Sequence, residues 1–297
     1  MSAIFPPPDA AVDRTQPFMP GHLTPLAHMP SRDRLTTAQR LRCNQLHALY
    51  CHEQIAFFEV SLAENVLGAL LCEPETRGLA DGLRDFIAEE KRHTQMFRAV
   101  NRLAAPDLYA ACDFHFVRLP AAARAALDFV SRRPRIFPLL LWLMLLQEER
   151  ALFFGGEFLR NAEALDPLFV ETQRRHLADE AGHARCDAEL LDRLWPRTHA
   201  NLRALNARLL GWLVGEFFGP PKRASWRVFE QLAREFPDVR PLLPQLRREM
   251  LALRGDASWL DTLYSRRTVP RTFARFDACP EFASLAGVLP GYAPASA

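Results

Sequence analysis

From Thr36 to Leu71 the chain runs without a proline and with a single glycine, Gly68. A stretch of that length predicts one long helix, opened by Thr36 or Thr37 as N-cap and closed near Pro74. Three other segments have the same character. One covers about 75–103 and ends before Pro106; one is opened by Pro134 and Pro138 and reaches about Leu165; one carries Pro167 in its first turn and stops at Pro196. No segment shows the alternation of a half-buried strand. Two long helical pairs are therefore the expected frame, and the fold class is all-α.

The rest of the chain is arranged around that frame. Residues 1–34 hold seven prolines and read as an extended arm over the surface. The irregular stretch CDFHFVRLP leads to a short helix near 121–131, and further helices are expected at 198–218, 221–237 and 240–254. The expected domains are thus an arm (1–34), a helical body (35–255) and a proline-marked tail (256–297). At 49% hydrophobic and 24% charged residues the chain can bury a sizeable core. A net charge of +2 gives no field that would favour nucleic acid or an anionic membrane. The longest apolar run, Ile136 to Leu146, is broken by Pro138 and falls short of the about 20 residues of a bilayer span. Six cysteines without a C-x-x-C pair, and a start, MSAIFPPPDA, unlike a secretory signal, point to reduced thiols and a cytoplasmic protein.

Chemistry enters with two Glu-x-x-His pairs. IAEEKRH places Glu90 three residues before His93, and LADEAGH places Glu180 three before His183. On a helix such a pair lies about 60° apart on one face, one turn along, close enough to share a metal. One pair alone is matched by chance on a solvated face; two on two long helices carry more. Both pairs are offset by 90 residues, and the same offset relates Glu59 to Glu149. These two acids lie among apolar same-face neighbours, where an unpartnered charge costs several kcal/mol, roughly.

One Glu from each of two helices and one Glu-x-x-His from each of two others is the ligand pattern of ferritin-like di-iron and di-manganese bundles. The expected metal ligands are Glu59, Glu90, His93, Glu149, His176, Glu180 and His183. Glu64 is the rival of Glu59. Glu53 and Glu148 are poorer candidates by their angle around the helix, and Glu157 reads as an outer or surface acid. His176 breaks the repeat, because Phe86 occupies the equivalent place. It lies on the face of Glu180 and His183, and so is expected to give the second metal an extra imidazole. Gly155 and Gly156 leave room either for a small ligand or for close helix packing. Phe57, Phe58, Phe86, Phe153 and Phe154 are candidates for an aromatic pocket wall.

FEVSLAENVL, EEKRHTQMF, QEERALF and above all RRHLADEAGHARC make the chain similar to the non-haem di-iron arylamine N-oxygenases. The resemblance covers roughly residues 40–195, and its discriminating element is His-x-x-x-Glu-x-x-His. It implies a ferritin-like bundle with additional helices and two iron ions, with manganese as the alternative metal. By resemblance, Glu90 and Glu180 would bridge, Glu59 and Glu149 would be terminal, and the three histidines would give the nitrogens. The implied partners are O2, a small aromatic amine, an external donor such as a ferredoxin or reductase, and a second copy in a homodimer. Two departures, Glu89 where the family commonly has Asp and Gly182 where it commonly has Arg, touch the surroundings of the ligands rather than the ligands. Rival activities are C–H hydroxylation or desaturation at the same site, and ferroxidase or iron-storage chemistry. The arginines of QLRREM and SRRTVPRTFARF suit an acidic substrate or partner, or merely a solvated face.

Overall fold

Thr36 opens α1 (Thr37–Phe58) with a capping box: its hydroxyl accepts from the Gln39 N–H at 3.3 Å, and the Gln39 side chain accepts from the Thr36 N–H at 2.9 Å. The structure, a computed structural model, describes residues 5–218, 224–289 and 291–292. The expectations for residues 1–4 of the arm, for 221–223, and for 290 and 293–297 of the tail lie outside them.

From α1 the helix passes through a π turn, Glu59–Ala63, into α2 (Glu64–Leu70). A 3-10 segment, Pro74–Leu79, turns the chain into α3 (Ala80–Ala104), followed by the single turn α4 (Pro106–Tyr109) and by α5 (Ala121–Ser131). The second pair is α6 (Leu139–Arg160) and α7 (Pro167–Leu194). Asp166 caps α7, accepting from the Phe169 N–H at 3.0 Å, with Pro167 at the first position where no N–H is needed. Beyond the bundle follow α8 (Ala200–Leu213), α9 (Ala224–Glu235), α10 (Leu243–Ala252), α11 (Ala257–Leu263) and α12 (Pro270–Asp277). No strand occurs among the described residues, and no single helix is long and apolar enough to cross a membrane.

α1 packs on α3, α3 on α7, and α7 along α6, so the four long helices enclose one interior. Gly155 sets the α6–α7 approach: a Cβ there would stand 3.1 Å from Leu177 Cδ1, and close helix packing is the role that glycine has. Gly156 faces its own helix's Arg160. The amphipathic α3 and α7 each turn one face inward, whereas α6 is buried on all sides from Leu139 to Leu146.

From Phe18 onward the arm contributes to the core, whereas residues 5–16 lie exposed or half-buried at the surface. Phe18, fully buried, stacks on Phe169 with centroids 4.2 Å apart, and Asn44 holds the Phe18 and Met19 amides. The irregular stretch before α5 is fixed by Glu53, whose carboxylate accepts from the N–H groups of His115, Phe116 and Val117 and from the Tyr109 hydroxyl. That network accounts for Glu53 as a buried structural acid.

Candidate metal centre

Seven side chains meet midway along the bundle. The π turn after α1 delivers Glu59, α3 delivers Glu90 and His93, α6 delivers Glu148, and α7 delivers His176, Glu180 and His183. All are at most 5% exposed. Glu180 is the hub: its Oε1 stands 2.9 Å from His176 Nε2, 3.5 Å from His183 Nδ1 and 3.7 Å from His93 Nδ1. Around it the donor atoms form three overlapping groups, of which one, His93, Glu180 and His183, joins the other two. Glu59, His93 and His176 make one, with Glu59 Oε1 3.5 Å from His176 Nε2 and 3.8 Å from His93 Nδ1. Glu90, Glu148 and His183 make the other, with His183 Nδ1 3.4 Å from Glu90 and 4.0 Å from Glu148.

Two expectations are corrected by this geometry. Glu149 does not face the cluster; its two carboxylate oxygens accept from the Arg271 and Thr272 N–H groups, each at 2.8 Å, at the start of α12. Its neighbour Glu148 takes the inward position. Because α6 is apolar on every face, hydrophobic periodicity could not choose between adjacent acids about 100° apart. The 90-residue offset misled because the register between a helix and its hairpin partner depends on the connection. One hairpin uses residues 71–79 between its helices and the other 161–166, and Glu59 itself sits in a π turn that the second pair lacks. The other correction concerns His176, which adds its imidazole to the group of Glu59 and His93 rather than to that of His183.

The remaining acids are settled by their partners. Glu59 accepts from the Thr94 hydroxyl at 2.9 Å inside the cluster, while Glu64 lies outward against Lys91 at 3.6 Å. Glu157 pairs with Arg160 at 2.7 Å and His22 at 3.2 Å, away from the centre.

The first acid of each Glu/Asp-Glu-x-x-His element, of which only Glu89 was noted in the sequence, as part of the ligands' surroundings, grips the histidine of the other helix. Glu89 receives His183 Nε2 at 3.0 Å and Asp179 receives His93 Nε2 at 3.1 Å. Their signal was present, since positions 89 and 179 share the 90-residue offset. With Nε2 engaged, Nδ1 of both rings turns inward. There His93 Nδ1, His183 Nδ1 and Glu90 Oε2 have no hydrogen-bond partner, and Glu180 is met by His176 at 2.9 Å on Oε1. Buried polar atoms are seldom left so, and a shared absent partner is the economical explanation.

The electrostatics agree. Burial, Glu59 and Glu180 push the Glu90 carboxyl well above the usual carboxylate range, and burial and Glu180 do the same to Glu148. Burial and the neighbouring His176 hold His93 down to about 2. Burial opposes protonation of His176, but Glu180 and Glu59 outweigh it and raise it to about 10. Protons thus do part of the neutralising in the metal-free cluster. Four carboxylates and neutral imidazoles would be balanced by two divalent cations, and the mixed oxygen and imidazole donors suit iron or manganese. The donor set fits a pair of such ions.

Beside the cluster lies a cavity of about 70 Å³ bounded by Glu59, Glu148, His176 and Glu180 on one side and by Phe58, Gln147, Arg150 and Phe154 on others. Of the five phenylalanines considered from sequence, Phe58 and Phe154 line it. Phe86 instead stacks on His183 at 3.9 Å, Phe57 packs on Phe114, and Phe153 lies under Arg267. An interior cavity that holds benzene is about 150 Å³. Here an aromatic ring enters only if wall side chains move.

Against known proteins, the family model described as p-aminobenzoate N-oxygenase AurF matches residues 5–241. No curated protein and no solved structure gives a significant match.

Proposed function

Because the chain belongs to the p-aminobenzoate N-oxygenase family, whose members are di-iron oxygenases of arylamines, we propose that it carries two iron ions on these seven residues and oxidises the nitrogen of an aromatic amine. Glu59, His93 and His176 would hold one iron, and Glu90, Glu148 and His183 the other, with Glu180 between them. The observation that carries the reading is the convergence of unpartnered His93 Nδ1, His183 Nδ1 and Glu90 Oε2 around Glu180 in one buried place.

When bound, the iron pair supplies the reducing electrons and the dioxygen binding needed to place an oxygen atom on an electron-rich nitrogen. The protein's share is geometric and electrostatic. Glu89 and Asp179 fix the orientation and tautomer of His183 and His93, leaving Nδ1 as the donor. Thr94 fixes the free oxygen of Glu59. Phe58 and Phe154 give the cavity apolar walls next to the ligands, and Gln147 and Arg150 give it polar groups for orienting a substrate. With two histidines in one group and one in the other, the two irons would be inequivalent.

An external donor, a ferredoxin or a reductase, would restore the electrons after each turnover. The six free cysteines support a cytoplasmic setting. Product analysis with isotopically labelled dioxygen tests the activity. Reduced, iron-loaded protein should place labelled oxygen on the nitrogen of an arylamine; label appearing only on carbon would replace N-oxygenation by C–H hydroxylation.

A further inference from the structure

The family model ends at residue 241, yet the segment after α10 docks on the helix that carries Glu148. Three contacts fall within four consecutive residues of α6. Gln147 Nε2 donates to the Tyr264 hydroxyl at 2.8 Å. Glu149 accepts from the Arg271 and Thr272 N–H groups. The Arg150 guanidinium lies over the Tyr264 ring, 5.4 Å from its centroid. Glu148, in the middle of this run, points the other way into the cluster.

The segment is itself firmly set. Tyr264 is 3% exposed, and the turn after it is closed by Ser265 and Thr268, whose hydroxyl accepts from the Ser265 N–H at 2.6 Å. Gly291 passes so close to the Tyr264 carbonyl that any side chain there would collide with it. Phe276 and Phe282 pack on Trp142 nearer the start of α6.

We propose that the segment 257–292 is a rotational clamp on α6, with Glu149 and Tyr264 as positioning residues that select Glu148 for the metal centre and place Gln147 and Arg150 in the cavity wall. This rests on the di-iron reading of the site. α6 needs such a device because its apolar surface runs all round, so burial alone does not fix its rotation about its axis. A turn of about 100° would exchange Glu148 for Glu149. The first-turn N–H groups of α12 have no partners within their own helix and carry the positive end of its dipole, and they bind the Glu149 carboxylate in the outward position. Tyr264 acts on the substrate side, since Gln147 and Arg150 both line the cavity.

The test uses the full chain with Glu149→Gln, Tyr264→Phe and, as control, Arg275→Gln. The control removes the Arg275–Asp192 pair, which ties the same segment to α7 instead of α6. Ferrous iron titration of Glu149→Gln should show one of the two sites weakened about 10- to 100-fold and the other unchanged. Tyr264→Phe should raise KM about fivefold with kcat kept, the equivalent of one hydrogen bond. Arg275→Gln should match the parent protein in both. Hydrogen exchange on the metal-free chain gives a readout independent of the iron reading: Glu149→Gln should speed exchange in α6 around residue 148. If the parent protein fails to bind two irons, the di-iron reading falls while the exchange result still judges the clamp. Unchanged exchange in Glu149→Gln, or the same change in Arg275→Gln, overturns the clamp; with two irons bound, so does unchanged iron affinity.

Discussion

His183 donates through Nε2 to Glu89 at 3.0 Å, across the interface between α7 and α3, while its Nδ1 faces Glu90 and Glu180. His93 and Asp179 repeat the relationship in the opposite direction. Each helix therefore orients the other helix's ring, and the two Glu/Asp-Glu-x-x-His elements form one interlocked unit.

That interlock predicts the effect of removing its acids. Glu89→Ala or Asp179→Ala should lower metal affinity about 10- to 100-fold without abolishing binding, because the rings lose orientation and basicity but not their donor atoms. Iron titration against a competing chelator measures it. An unchanged affinity in both variants would mean the bonds are incidental.

The adjacent acids of α6 should separate cleanly. Glu148→Ala is expected to remove an iron and the activity with it. Glu149→Ala, which strands two buried N–H groups at the start of α12, should instead lower stability by about 2–4 kcal/mol and weaken one site without emptying it. Metal analysis alongside chemical denaturation distinguishes them; loss of an iron on Glu149→Ala with none on Glu148→Ala would reverse the assignment.

This pair also shows what was legible in the sequence. α3 and α7 are amphipathic, so spacing on their inward faces identified Glu90, His93, Glu180 and His183. α6 is buried all round from Leu139 to Leu146, just before the site, and Glu148 and Glu149 are both buried, so the choice between them is set by tertiary contacts with residues 117 to 123 positions later, which no local pattern records. Glu59 was readable from its apolar neighbours. The grouping of His176 was not, because it depends on how α1 and α3 approach α7. The burial of the arm's second half was not legible for a related reason: prolines signal a lack of helix, whereas the burial comes from Phe18 and Met19 fitting against α1 and α7.

That fit has a measurable consequence. Phe18→Ala should destabilise the fold by about 3–5 kcal/mol, as expected for an aromatic side chain lost from a closed core. A shift of the urea midpoint without a change in slope would show it, and an effect within experimental error would place the arm outside the cooperative unit.

Metal uptake should release protons. His176 is raised to about 10 and so is protonated near neutral pH, and burial with the neighbouring carboxylates shifts Glu90 and Glu148 upward, toward the protonated form. Metal ligation requires the deprotonated forms, so His176 at least must give up its proton. Affinity should therefore increase as pH rises from about 6 to 8, and loading at pH 7 should acidify a weakly buffered solution. Uptake without proton release would mean that the cluster is already fully ionised before metal arrives.

The most direct test of the account is the iron content of the purified chain after anaerobic loading and removal of loose metal, with Glu180→Ala beside it. Two irons per chain, and loss of both ions' tight binding when the Glu180 hub is removed, is the predicted result. Less than one iron per chain, or full retention in Glu180→Ala, would contradict it.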